Sequence, residues 1–287
     1  MDTLLESIAA DRGRIAELVA EGRLDQAAYR ARHLADRNAD LPVCAADAAL
    51  VEWLRDGALP RDRPAAWRDA FREGNVRAKE ASPAIAGAVR RYLARGLVKA
   101  SDAAEGRGGF LDAEPVGAYL LEAGLVDEAA ASLFASLARS PTSGRAALLL
   151  GNALRRLDRI EEARDAYRRA LRVAPFEILL AEIEDEEVRG LADLADELEV
   201  KGDVRAWIPV LGFLEDVLPL SALDPVPGAG FGDATRVYDL LIAHKGARSH
   251  GERTAIRRDL KQLAPALFDA LLAARKLDAV PPPTGNA

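Results

Sequence analysis

Apolar residues along this chain recur three and four positions apart, the spacing that lines one face of a helix. Ile85, Ala88, Val89 and Tyr92 make one such stripe, and Leu260, Leu263, Leu267, Phe268, Leu271 and Leu272 make a broader one. Valine and isoleucine never alternate with polar residues in a strand-like run, so the pattern predicts helices and no sheet. Glycines and prolines punctuate it: Gly22, Gly96 and Gly124 follow apolar stripes, and Pro141, Pro175 and Pro219 close them.

Two segments carry the same pattern in register. Val116-Gly117, Leu120, Gly124, Ala129, Leu133, Ser136 and Pro141 are matched by Leu150-Gly151, Leu154, Asp158, Ala163, Tyr167, Ala170 and Pro175, each 34 residues later. Val116 with Leu120, and Leu150 with Leu154, are i, i+4 pairs on the inner face of a first helix. Gly117, Gly151, Ala129 and Ala163 are small where a second helix would cross, and Leu133 and Tyr167 would fill the space between the helices. These residues resemble the tetratricopeptide repeat family, a 34-residue helix-turn-helix with small residues at its crossings and a closing proline. Ala147 stands where that family favours tryptophan.

The expected fold is therefore all-α, an αα superhelix of stacked pairs. Residues 110–143 and 144–177 form the two clear copies. A divergent third copy, 188–221, holds Leu191, Leu194, Leu198, Gly202, Leu211 and Pro219 at related spacing, with Trp207 where a small residue is expected. An extra stretch from Ile178 to Glu187 precedes it. Upstream, residues 1–109 read as divergent pairs. Gly22-Arg23-Leu24-Asp25 echoes Gly124-Leu125-Val126-Asp127 and implies a pair from Thr3 to Ala39. Val43–Leu54 and Pro64–Lys79 read as a second, irregular pair, and a first helix is expected to end at Gly96. Downstream, 222–232 reads as a linker, 233–280 as a helical region capping the stack, and 281–287 as a frayed tail.

Composition sharpens this picture. The chain has 287 residues, 49% hydrophobic but only 5% aromatic, so alanine and leucine supply the core, both strong helix formers. The formal net charge of -7 argues against general binding to polyanions. Cys44 is the single cysteine and reads as a buried, inert thiol, as expected in a reducing compartment. No basic, apolar leader opens the chain and no apolar run could span a bilayer, which points to a cytoplasmic protein.

Candidate chemistry is sparse. His33, His244 and His250 form no zinc spacing. Gly228-Ala229-Gly230-Phe231-Gly232 lacks the Lys-Ser/Thr of a phosphate loop and reads as linker. Eleven acids between Glu177 and Asp203 read as a solvated face. No set of side chains converges as an active site would, so neither catalysis nor a cofactor is expected. Basic residues gather at Arg68–Lys99 and at Lys245–Lys261, with few aromatics between them for base stacking. A nucleic-acid regulator acting through its basic C-terminal helices is the alternative reading.

The resemblance implies a groove lined by the first helix of each pair, taking a peptide or helix of a partner protein. By position it would present Glu122, then Arg145, Leu148, Asn152, Arg155 and Arg156, then Asp196 and Glu199. In this family an asparagine at the position of Asn152 commonly bonds a ligand's backbone. The charges make the middle of the groove positive and its flanks negative, which suits a partner segment with central acids. An adaptor or scaffold is the function this implies.

Overall fold

The computed structural model describes residues 2–57, 59, 63–222 and 232–277. Among them helices dominate: α1 (Asp2–Ala20), α2 (Leu24–Arg37), α3 (Pro42–Asp56), α4 (Pro64–Arg77) and α5 (Pro83–Glu105), then α6 (Gly117–Glu122), α7 (Val126–Arg139), α8 (Gly144–Arg156) and α9 (Ile160–Val173). After two 3₁₀ turns at Pro175–Glu177 and Leu180–Glu182 follow α10 (Glu186–Glu197), α11 (Val204–Leu214), α12 (Gly232–Gly246), α13 (His250–Leu263) and α14 (Pro265–Ala273). Prolines open α3, α4, α5 and α14, where the missing N–H costs nothing. The all-α class holds, with one small exception. Phe110–Leu111 and Glu114–Pro115 pair antiparallel across a turn in which Asp112 and Ala113 take φ of 51° and 68°. No alternating apolar pattern marks so short a ladder; turn geometry makes it.

The helix turns carry the repeat phase. Gly22, Gly124 and Asp158 all have positive φ, 74°, 76° and 59°, at equivalent places in the pattern. In each turn the next residue's N–H reaches back to a carbonyl of the finished helix: Arg23 to Leu18, Leu125 to Leu120, Arg159 to Leu154. The third copy departs here. Glu199 and Gly202 both have positive φ, 50° and 93°; the N–H of Val200 reaches back to Ala195, and the loop then runs on to the Asp203 side chain that caps α11.

The chain divides into two compact units, residues 1–136 and 137–287, with the boundary inside α7. In the first unit α1 packs on α2 and α5, α2 on α3, and α4 on α5. The pairing thus differs from the expected one, in which the segments now seen as α3 and α4 were partners. The reason lies in α5, which does not end at Gly96 but runs on to Glu105. Gly96 is a contact, not a cap: a Cβ there would sit 1.9 Å from the Trp67 ring. Ile15, Val51, Phe71, Ile85, Leu93 and Leu97 fill the core. Asp47, fully buried on α3, accepts from Arg12 Nε on α1 and from the backbone N–H of Ser82 at the start of α5, each at 2.7 Å. Cys44 is buried beside this pair, and burial raises its thiol pKa.

In the second unit α8 and α9 pack most closely, α9 and α10 each meet α11, and α12, α13 and α14 follow in sequence. Gly151 lies against Tyr167, whose ring would stand 2.4 Å from an added Cβ. The earlier counterpart in the first unit, Gly117, lies likewise against Leu133. These are the crossings that the small residues predict. Trp207 fits on α11 because it is buried with its indole N–H donating to the Lys201 carbonyl at 2.8 Å, within the longer loop of that pair. Of the expected linker only Ala222 and Gly232 are described, and the glycine-rich run 228–231 and the tail 281–287 lie outside the described residues.

Candidate functional site

The expected groove residues fall in both units, and the second unit holds the informative set. Ser143 accepts from the N–H of Ala146 and starts α8, which then presents Arg145, Leu148, Asn152, Arg155 and Arg156. Leu148 is fully buried and belongs to the core. The other four face the stretch between α9 and α10, which is not loose. It turns twice in 3₁₀ geometry and is extended at Ile178, Leu179, Ile183 and Asp185.

Asn152 is 5% exposed and is fully engaged. Its Nδ2 donates to the carbonyl of Glu182 at 2.8 Å, and its Oδ1 accepts from the N–H of Glu184 at 3.2 Å and from the Tyr167 hydroxyl at 2.7 Å. The two backbone groups flank Ile183, where the chain leaves the second 3₁₀ turn and becomes extended, so one carboxamide takes one acceptor and one donor of the backbone. Ile183 itself is buried. Burial raises the Tyr167 pKa, so its hydroxyl stays protonated and donating at neutral pH.

Arginines read the side chains on either side. Arg145 Nη1 donates to Glu182 Oε2 at 2.7 Å, and Arg156 forms a forked pair with Glu184, 2.9 Å and 2.5 Å at its shortest contacts. The hydrogen bond to Glu184 raises the Arg156 pKa above its ordinary value. Arg155 stands 4.0 Å from Asp185 Oδ2, and Arg164 of α9 approaches the same oxygen at 3.3 Å. Asp185 is buried and also accepts from the N–H groups of Glu187 and Val188, capping α10. Arg205 of α11 donates to the carbonyls of Phe176 and Ile178 and fixes the start of the stretch.

The remaining expected residues lie elsewhere. Glu122, in the first unit, accepts from Asn75 Nδ2 at 2.8 Å. Asp196 and Glu199 are exposed at the end of α10. Of the C-terminal basic cluster, Arg257 contacts His244 and the Leu277 carbonyl, and Arg253 donates to the Ala247 carbonyl. In the first unit a cavity of about 610 Å³ is lined by Leu24, Leu54, Trp67 and Tyr92, with Arg95 at its side. Arg95 is committed to a forked pair with Glu128. Among the described residues no group of His, Cys, Asp and Glu is placed to hold a metal ion, and no helix is long and apolar enough to cross a membrane.

The family resemblance singled out Asn152 and its arginines but not the segment that meets them. The acids of Glu182–Asp185 read as a solvated face because spacing along one helix cannot show a segment folding back on another. Their signal was the alternation Glu-Ile-Glu-Asp, an apolar residue set between acids within an insertion to the repeat. Comparison with known proteins finds no family model, no curated protein and no solved structure that matches this chain.

Proposed function

We propose that this protein is an adaptor of the tetratricopeptide type that holds a partner protein through the face of α8. The observation that carries this reading is the carboxamide of Asn152 engaged on both sides of Ile183, with Arg145 and Arg156 on the flanking glutamates. That is peptide recognition in miniature: a fixed polar group takes the backbone, and charged side chains select the sequence. The 34-residue phase supports it, since the glycines at Gly117 and Gly151 let the paired helices approach closely.

The test is capture of proteins from the native cell on the full chain, compared with an R145E/R156E variant. Proteins held by the parent and lost from the folded variant support the reading. An identical set from both places any partner off this face and overturns it. Salt-sensitive recovery of nucleic acid alone would favour the basic C-terminal helices instead.

A further inference from the structure

The stretch between α9 and α10 is longer than the turn it makes requires. α7 reaches α8 through Ser140–Ser143, whereas α9 reaches α10 through Ala174–Asp185. Connections between packed helices are usually short, and a longer one with its own ordered contacts commonly has a role beyond joining. Here the added residues lie on the α8 side chains that the family resemblance would give to a partner, and they carry the charge those side chains call for.

We infer that Glu182-Ile183-Glu184 is an internal stand-in for the partner: the α8 face is a docking site for an extended acid–aliphatic–acid segment of another protein, which enters by exchanging with the chain's own copy. The inference rests on the adaptor reading and names the partner's chemistry. Each contact is of a kind another chain could replace. Toward this segment the Asn152 carboxamide touches backbone only, so the contact does not depend on which side chains the segment carries. Arg145 and Arg156 touch carboxylates at half-exposed positions, where an ion pair contributes little net stability and is readily traded. One aliphatic side chain, Ile183, is buried between them.

The geometry also limits how far the exchange reaches. Asp185 is buried, caps α10 and pairs with Arg164, so it stays as the anchor. On the other side Arg205 holds the Phe176 and Ile178 carbonyls. Between these fixed ends, Leu179 is 61% exposed and Ala181 is also exposed. The segment can therefore lift between Leu179 and Glu184 while both neighbouring helices keep their ends. Arg189, which donates to the Ile183 carbonyl at 3.2 Å, is a further tie to release.

The experiment uses a fluorescent peptide of the chain's own sequence, Leu180 to Glu187, whose binding to the full protein is followed by anisotropy. Substitution E182Q/E184Q removes the internal charges that compete for Arg145 and Arg156 without changing side-chain size. That variant should bind the peptide at least tenfold more tightly than the parent, and adding R156E should reverse the gain. A scrambled peptide should bind neither. Equal affinity of parent and variant for the peptide, or equal binding of the scrambled sequence, overturns the inference.

Amide exchange of the parent alone gives a second readout that needs no variant. The Glu184 amide should exchange by local opening, well before the amides of α9. Protection equal to that of α9 also overturns the inference. Partner capture that depends on Arg145 and Arg156, without peptide exchange, would leave the adaptor reading standing and sink only this one. Peptide exchange without any such capture would do the reverse.

Discussion

The hydroxyl of Tyr167 on α9 donates to Oδ1 of Asn152 on α8 at 2.7 Å, while its ring lies against Gly151. One side chain thus sets the spacing of the helix pair and fixes the carboxamide that faces Glu182–Glu184. Tyr167→Phe keeps the ring and removes the donor. It should cost about 1 kcal/mol in urea unfolding, the usual worth of such a bond. Asn152→Ala strands the Tyr167 hydroxyl, the Glu182 carbonyl and the Glu184 N–H together, and should cost about 2–3 kcal/mol. A double-mutant cycle should show clear coupling, and strict additivity would mean that the two groups act independently.

Glycine marks the crossings, and its substitution should separate crossing from surface. Gly151→Ala places a Cβ 2.4 Å from the Tyr167 ring and should destabilise by about 1–3 kcal/mol. Gly190, inside α10, has nothing within 4 Å of an added Cβ, so Gly190→Ala should stabilise by about 0.5–1 kcal/mol through helix propensity. Thermal melts of both variants check the pair; matching shifts would contradict the packing described.

Asp47 should be the most sensitive polar position of the first unit. It is fully buried and joins Arg12 to the start of α5. Asp47→Ala leaves the Ser82 N–H and a largely buried guanidinium without their acceptor and should cost about 3–5 kcal/mol. An unfolding midpoint within error of the parent would show that water replaces the carboxylate freely.

His244 gives the second unit a pH dependence of known sign. Burial first, then Arg257 and Arg253, lower its pKa below 6.5, and Arg257 Nε donates to its Nε2 at 3.3 Å, so the neutral ring is the folded form. The unfolded chain takes up the proton first as pH falls. The stability conferred by the neutral ring is therefore full above about pH 6.5 and is lost as pH drops toward the folded pKa. Melting temperature should fall from pH 7 to pH 5 by more in the parent than in a His244→Gln variant; parallel curves would exclude this group as the cause.

Much of the fold is legible in residues whose role is local. Gly124 and Asp158 mark turns because a helix ends where one residue takes positive φ, and Gly117 and Gly151 mark crossings because nothing larger fits. Gly96 misleads for the same reason: the absence of a side chain serves a helix end and a Trp67 contact equally well, and only the three-dimensional partner distinguishes them. Of the contacts around α8, one side only was named from the sequence. Asn152, Arg145 and Arg156 follow from repeat position, but the segment that meets them lies some thirty residues onward, across a connection whose course no periodicity encodes. The first copy has Ala118 and Leu133 at the places of Asn152 and Tyr167, so the paired residues that build this face occur in only one of the two clear copies.

The most direct test of the docking face is photo-crosslinking in the native cell from position 179. The Leu179 side chain is exposed and lies beside the segment held by α8. A photoreactive residue there should yield a protein adduct whose crosslinked stretch alternates acidic and aliphatic residues, and R145E/R156E should abolish it. Adducts unaffected by R145E/R156E, or adducts to nucleic acid alone, would contradict the account.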